Sequence, residues 1–100
     1  MYKRQYIYRY NTVIVDLRSR EEFAEEHIVG AYNIPFEEFD ENSFPFPINV
    51  TVILYCERGS SSLMAAKQLS RKGYFDVKTV IGGILSYRGE YLERKQRGFH

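Results

Sequence analysis

Thr51-Val52-Ile53-Leu54-Tyr55-Cys56-Glu57-Arg58-Gly59-Ser60-Ser61-Ser62 is the stretch on which the fold turns. Val52, Ile53 and Leu54 form an uninterrupted apolar run, the signature of a strand covered on both faces. The run empties at Cys56 into a loop of small and charged residues, and a helix is expected to begin at Ser61 or Ser62. Such a loop can curl so that successive backbone N–H groups point inward as a nest for an anion, and the N-terminus of the next helix adds partial positive charge. Helix N-termini and nearby cations draw a cysteine pKa from about 8.5 to roughly 3.5–7.5. Cys56, at the mouth of this nest, is therefore expected to be nucleophilic near neutral pH. Arg58 is a candidate cation at the rim, and Gly59 permits backbone conformations that a side chain would forbid. An arbitrary lone cysteine is more often a small buried hydrophobe, but the strand–loop–helix context favours the reactive reading.

Upstream, Val13 to Leu17 reads as another buried strand with Asp16 and Arg18 at its carboxyl end. Ser19 followed by Glu22 is a capping box, in which hydroxyl and carboxylate satisfy free backbone N–H groups, and it predicts a short helix through about His27. Gly30 breaks that helix, Ala31 to Ile34 reads as a strand stopped by Pro35, and a short helix follows with Phe36 and Phe39 on one face. Asn42 through Pro47 reads as a loop. Downstream, Leu63, Ala66 and Leu69 define the expected apolar side of a helix that ends at Lys72, with Arg71 and Lys72 at its negative end and Gly73 as the stop. Val77 to Ile81 reads as a strand, Gly82 and Gly83 as a tight turn, and Ile84 to about Arg94 as a final helix carrying Leu85, Tyr91 and Leu92. Tyr6 to Tyr10 is a candidate edge strand. Alternating strands and helices predict an α/β fold whose mainly parallel sheet has helices on both faces and its site beyond the carboxyl ends of the strands.

A chain of 100 residues, 44% hydrophobic and 27% charged, suits one domain over 1–100. The formal net charge is +1 with both signs interspersed, so no broad field is available for nucleic acid or an anionic membrane. Arg94, Lys95 and Arg97 form the densest cationic stretch and read as a solvated terminus. No run is long and apolar enough for a membrane helix, and Met1 to Tyr10 lacks the apolar core of a secretory signal, which makes the cytoplasm the expected location. One cysteine excludes an internal disulfide, and with only His27 and His100 beside it no tetrahedral Cys/His metal site can be assembled. No metal or other cofactor is expected.

From Val13 to Tyr87 the chain resembles the rhodanese family. Val15-Asp16-Leu17-Arg18 with Glu22-Phe23 is similar to its first signature, and Glu26-His27-Ile28-Val29-Gly30-Ala31 with Asn33-Ile34-Pro35 to its second. Cys56 to Ser61 is similar to its active loop and Val80-Ile81-Gly82-Gly83 to its last motif. The resemblance implies a parallel five-stranded sheet and sulfur transfer, in which Cys56 takes sulfane sulfur from thiosulfate or a persulfide and passes it to a thiol, or to cyanide in assays. It implies no separate general base, because the loop already favours thiolate. The substrate-binding positions it implies are Glu57, Arg58, Gly59, Ser60 and Ser61, acting mostly through backbone N–H groups. Glu26 stands where the family usually has glycine, Tyr87 where a tryptophan often follows the double glycine, and the amino terminus is short, which implies an altered sheet edge.

Asp16, Arg18 and His27 read as structural anchors, and Phe36, Phe39, Phe44 and Phe46 as core and lid, with some of them candidates to line a pocket over Cys56. The phosphatases among rhodanese-fold relatives carry a phosphate-binding arginine six positions after the cysteine. Ser62 occupies that position here, which argues against phosphatase and arsenate reductase chemistry. The remaining alternative is a binding or redox-sensing module that keeps the fold without turnover.

Overall fold

The apolar runs become parallel strands because each can bury side chains on both faces only inside a covered sheet. The computed structural model describes residues 11–57, 59–80, 83 and 92–94. Strands β1 (Thr12–Asp16), β3 (Tyr32–Asn33), β4 (Thr51–Tyr55) and β5 (Val77–Thr79) form a sheet of order β3-β1-β4-β5, every pair parallel. Thr12 to Asp16 lie in register with Thr51 to Tyr55, so the two strands end side by side. The candidate strand Tyr6 to Tyr10 and the Lys95 and Arg97 part of the cationic stretch lie outside the described residues.

One face of the sheet presents Val15, Val52 and Leu54, and Leu17 and Cys56 continue the same face past the strand ends. Helix α2 (Ser60–Lys72) covers it with Ala65 and Leu69, and Tyr74 closes the cluster. Phe36, Phe39, Phe44 and Phe46 pack around the edge as expected, with Phe44 meeting Phe46 and Tyr74 edge-on at centroid separations of 5.3 and 5.4 Å. On the other face Ile14 and Tyr55 are buried against Ile28, with Ile53, Ala31 and Val80 around them. Complete burial of a Leu54- or Leu69-sized side chain stabilises the fold by about 1.5–3 kcal/mol each.

Helix α1 (Arg20–Glu25) begins with the expected capping box: the Glu22 N–H donates to Ser19 Oγ at 3.1 Å, and the Ser19 N–H donates to Glu22 Oε1 at 3.1 Å. It ends earlier than expected. Glu26 is already extended, with φ −166°, and Glu26–Ile28 forms strand β2 paired antiparallel with β6 (Leu92–Arg94). The run through His27 is thus a strand, because pairing with a distant segment overrides the helical preference of Ala24-Glu25-Glu26. Arg18 reinforces the switch by donating from Nη2 to the Glu26 carbonyl. For the same reason Leu92–Arg94 is strand rather than helix, while Ile84 to Tyr91 lies outside the described residues. The His27 ring stacks on Phe23 at 3.8 Å and its Nδ1 lies 2.7 Å from the Phe23 carbonyl, so Nδ1 is the donor.

The 3-10 turn Phe36–Glu38 stands where the short helix after Pro35 was expected, and a second, Glu41–Ser43, begins in front of the expected loop. Helix α2 stops at Gly73, which takes the left-handed conformation (φ +117°) as its sequence position predicts. Its buried face differs from the expected one. Leu69 is buried and Ala66 packs against the core as expected, but Ser62 and Ala65 also point inward and Leu63 is exposed, which brings the Ser62 hydroxyl beneath the loop.

Between the two strand ends lies a buried polar network. Asp16 is fully buried and accepts from the Arg18 backbone N–H (2.8 Å), Nε (3.1 and 3.2 Å) and Nη2 (2.9 Å). The Tyr55 hydroxyl accepts from the Ile28 N–H at 3.0 Å; burial first, and then the nearby Asp16 charge, push its phenol well above the usual range. Removing one partner of a buried ion pair strands the other charge away from water. Asp16→Ala is therefore expected to lower unfolding stability by about 3 kcal/mol or more, read as a reduced urea midpoint at constant slope; a loss below about 1 kcal/mol, the level of a surface pair, would contradict this role.

Candidate active site

Cys56 follows β4 directly, and β1 ends beside it, so residues just past both strands share one opening. Leu17, Arg18 and Ser19 leave β1, Glu22 projects from α1, Phe36 and Glu37 come from the first 3-10 turn, and Cys56, Glu57, Ser60 and Ser61 close the circle. The cleft they enclose measures about 440 Å³. Its position at the carboxyl ends of parallel strands is where this sheet class forms its sites.

The loop is shaped by Gly59, whose φ of +110° falls in the left-handed region where a side chain is disfavoured. That conformation aims the Gly59 N–H at Cys56 Sγ, 3.0 Å away. Gly59 is the N-cap of α2 and supplies no capping side chain, so the first N–H groups of the helix, from Ser60 onward, are not filled by one. The Gly59 carbonyl faces the other way and accepts from the Leu63 N–H (3.2 Å) and Ser62 Oγ (2.9 Å). Ser62 Oγ in turn lies 3.8 Å from Cys56 Sγ. A serine on the buried face of α2 is thereby satisfied, and it locks the loop over the sulfur.

Of the positions singled out from sequence, Cys56, Glu57, Ser60 and Ser61 line one cleft, and Gly59 touches the sulfur through its backbone. Arg58 lies outside the described residues. Phe36, one of the aromatic residues expected at the lid, lines the opposite wall; sequence reasoning overlooked Glu22 and Glu37 beside it, because those residues approach Cys56 only through the sheet register. It also overlooked Ser62; the signal was a third consecutive serine where the helix should turn its apolar side inward. Gly83 is a further participant. With φ +66°, a Cβ there would stand 2.4 Å from the carbonyl oxygens of both Cys56 and Glu57.

Glu22 is a fixed charge on the wall. The Ser19 backbone N–H holds its carboxyl below the usual range against the opposing effect of burial, with Glu57, the Ser19 hydroxyl and Arg18 adding to the lowering. Arg18 faces the cleft from the buried network, its guanidinium 5.8 Å from the Tyr55 ring centroid and its charge matched by Asp16.

A parallel α/β sheet that delivers one cysteine into a loop of backbone N–H groups ahead of a helix defines a class of anion-handling thiol sites. Within that class the chain belongs to the rhodanese-like domain family, whose model matches residues 3–90. It is 30% identical over 79 residues to the thiosulfate sulfurtransferase GlpE of Coxiella burnetii, covering 79% of this chain and 74% of that protein. It is 32% identical over 76 residues to an uncharacterized protein of Synechocystis, of which it spans 42%. Among solved structures, a rhodanese with anions from E. coli superposes with a TM-score of 0.68 at 31% identity, covering 83% of this chain and 98% of that one. No helix among the described residues is long and apolar enough to cross a membrane.

The contact at Gly83 is with backbone, which cannot swing aside. Gly83→Ala is expected to destabilise the protein by about 1–3 kcal/mol and to change the alkylation rate of Cys56 several-fold; thermal unfolding and a timed iodoacetamide reaction measure both. An unchanged rate in a folded variant would separate Gly83 from the loop.

Proposed function

We propose that the protein is a sulfurtransferase that carries sulfane sulfur on Cys56. The observation that carries this reading is the Gly59 N–H at 3.0 Å from Cys56 Sγ, on the wall of a cleft and beside a helix N-terminus that has no side-chain cap. An N–H so placed shares negative charge with the sulfur and, after loading, with the persulfide.

Two displacements complete the cycle. The Cys56 thiolate attacks the outer sulfur of thiosulfate or of a persulfide donor, a new S–S bond forms at Sγ, and the donor's own S–S bond breaks to release sulfite or a thiolate. An acceptor thiolate then attacks the outer sulfur of the Cys56 persulfide, and the electron pair of the broken bond returns to Sγ. No net oxidation occurs, and no cofactor is required. Glu57, Arg58, Gly59, Ser60 and Ser61 are proposed to hold the transferred group, chiefly through the loop N–H groups. The inward Ser62 leaves no arginine at the position where phosphatase relatives bind phosphate.

Purified protein incubated with thiosulfate or a small persulfide should gain the mass of one sulfur atom and form thiocyanate from cyanide, whereas Cys56→Ser should do neither. Absence of both adduct and turnover with every donor would sink the sulfurtransferase reading in favour of a binding module.

A further inference from the structure

Besides Cys56, the cleft carries several charged side chains. Three carboxylates line it, Glu22, Glu37 and Glu57, against one described cation, Arg18. Arg18 is already committed, with two of its nitrogens on the Asp16 carboxylate and Nη2 also on the Glu26 carbonyl. The neighbouring Arg20 is committed as well, donating to both oxygens of Glu38 at 2.7 and 2.8 Å. Glu22 is held in place by the Ser19 N–H and hydroxyl, at 3.1 and 3.2 Å. With the Arg18 charge matched by Asp16, the three glutamates outnumber the one loop cation of the sequence, Arg58. Among the described residues, an anion approaching Cys56 thus meets attraction from the Gly59 N–H beside the sulfur and repulsion from the carboxylates of the cleft wall. Across cleft distances and an effective dielectric near 20, each pair of unit charges is worth roughly a tenfold change in equilibrium.

Resting on the reading of Cys56 as the sulfur carrier, we infer that Glu22, Glu37 and Glu57 set the specificity of the site. They select against small dianions such as thiosulfate and for a small aminothiol, or its persulfide, whose ammonium group lies a few bonds from sulfur. A volume of about 440 Å³ accommodates such a molecule whole. In the discharge step the aminothiol thiolate attacks the outer persulfide sulfur, the bond from that sulfur to Cys56 Sγ breaks, and the electron pair stays on Sγ. The ammonium group meanwhile rests among the carboxylates and takes no part in the bond changes.

Two measurements test the inference. The sulfur-loaded protein is discharged by cysteamine, 2-mercaptoethanol and 3-mercaptopropionate, near-isosteric cationic, neutral and anionic thiols, with rates expressed per thiolate. The expected order is cysteamine, mercaptoethanol, mercaptopropionate, with at least a tenfold spread that the double variant Glu37→Gln/Glu57→Gln compresses below about threefold. A flat or reversed order in the unaltered protein overturns the inference. The second measurement needs no sulfur transfer: Cys56 is alkylated by neutral iodoacetamide and anionic iodoacetate, and the ratio of rates is compared with that of free mercaptoethanol. The protein should disfavour iodoacetate at least tenfold more than the free thiol does, and the double variant should restore most of the difference. An equal ratio overturns the selectivity even where transfer is active, and a raised ratio sustains it even where transfer fails.

Discussion

The structure hinges on one buried carboxylate. Asp16 has no solvent exposure, sits opposite Tyr55 in the β1–β4 register and accepts four hydrogen bonds from Arg18. Burying an ion pair seldom stabilises a fold against an apolar alternative, since desolvation offsets most of the attraction. Its effect here is to specify geometry. Through Asp16 and Arg18 the end of β1 is tied to Tyr55, and through the Arg18 contact with the Glu26 carbonyl to the start of β2. Cys56 follows Tyr55 by one residue and Arg18 follows Asp16 by two, so the same anchor sets the separation of the cleft walls.

The two helices that border the cleft begin in opposite ways, and the difference is chemical. Helix α1 caps itself, with the Glu22 N–H on the Ser19 hydroxyl and the Ser19 N–H on the Glu22 carboxylate. Helix α2 begins on a glycine that offers no side chain, and Gly59 gives its N–H to the sulfur instead. The capping box of α1 nevertheless serves the site, because the carboxylate that caps the helix also stands on the cleft wall. One glutamate thereby links helix formation to the electrostatics around Cys56.

Local signals were legible in the sequence and long-range ones were not. The apolar run before Cys56, the Ser19–Glu22 box and the glycine stop at Gly73 each act within a few residues, and each appears where its chemistry demands. The strand Glu26–Ile28 was hidden because its pairing partner, Leu92–Arg94, lies far along the chain and neither segment alternates clearly. Ser62 misled for a different reason. Periodicity treats a hydroxyl as outward-facing, yet a single acceptor, the Gly59 carbonyl, makes its burial tolerable and turns Leu63 to solvent. The aromatic character of the far wall was legible at Phe36, but the place of Glu22 and Glu37 beside it follows from the β1–β4 register and the course of the chain after β3, which no local pattern encodes.

Backbone and side chains therefore divide the work at Cys56. The Gly59 N–H and the helix N-terminus are neutral in net charge and act over a few ångströms around the sulfur. The carboxylates of Glu22, Glu37 and Glu57 carry whole charges, act over the width of the cleft and bear on a molecule before it arrives. Because the contact with Cys56 Sγ is made by a main-chain N–H, side chains elsewhere on the cleft wall can be exchanged without altering it. In this chain Glu22, Glu37 and Glu57 supply the acidic side chains of the cleft wall, while the loop meets the sulfur through the Gly59 N–H.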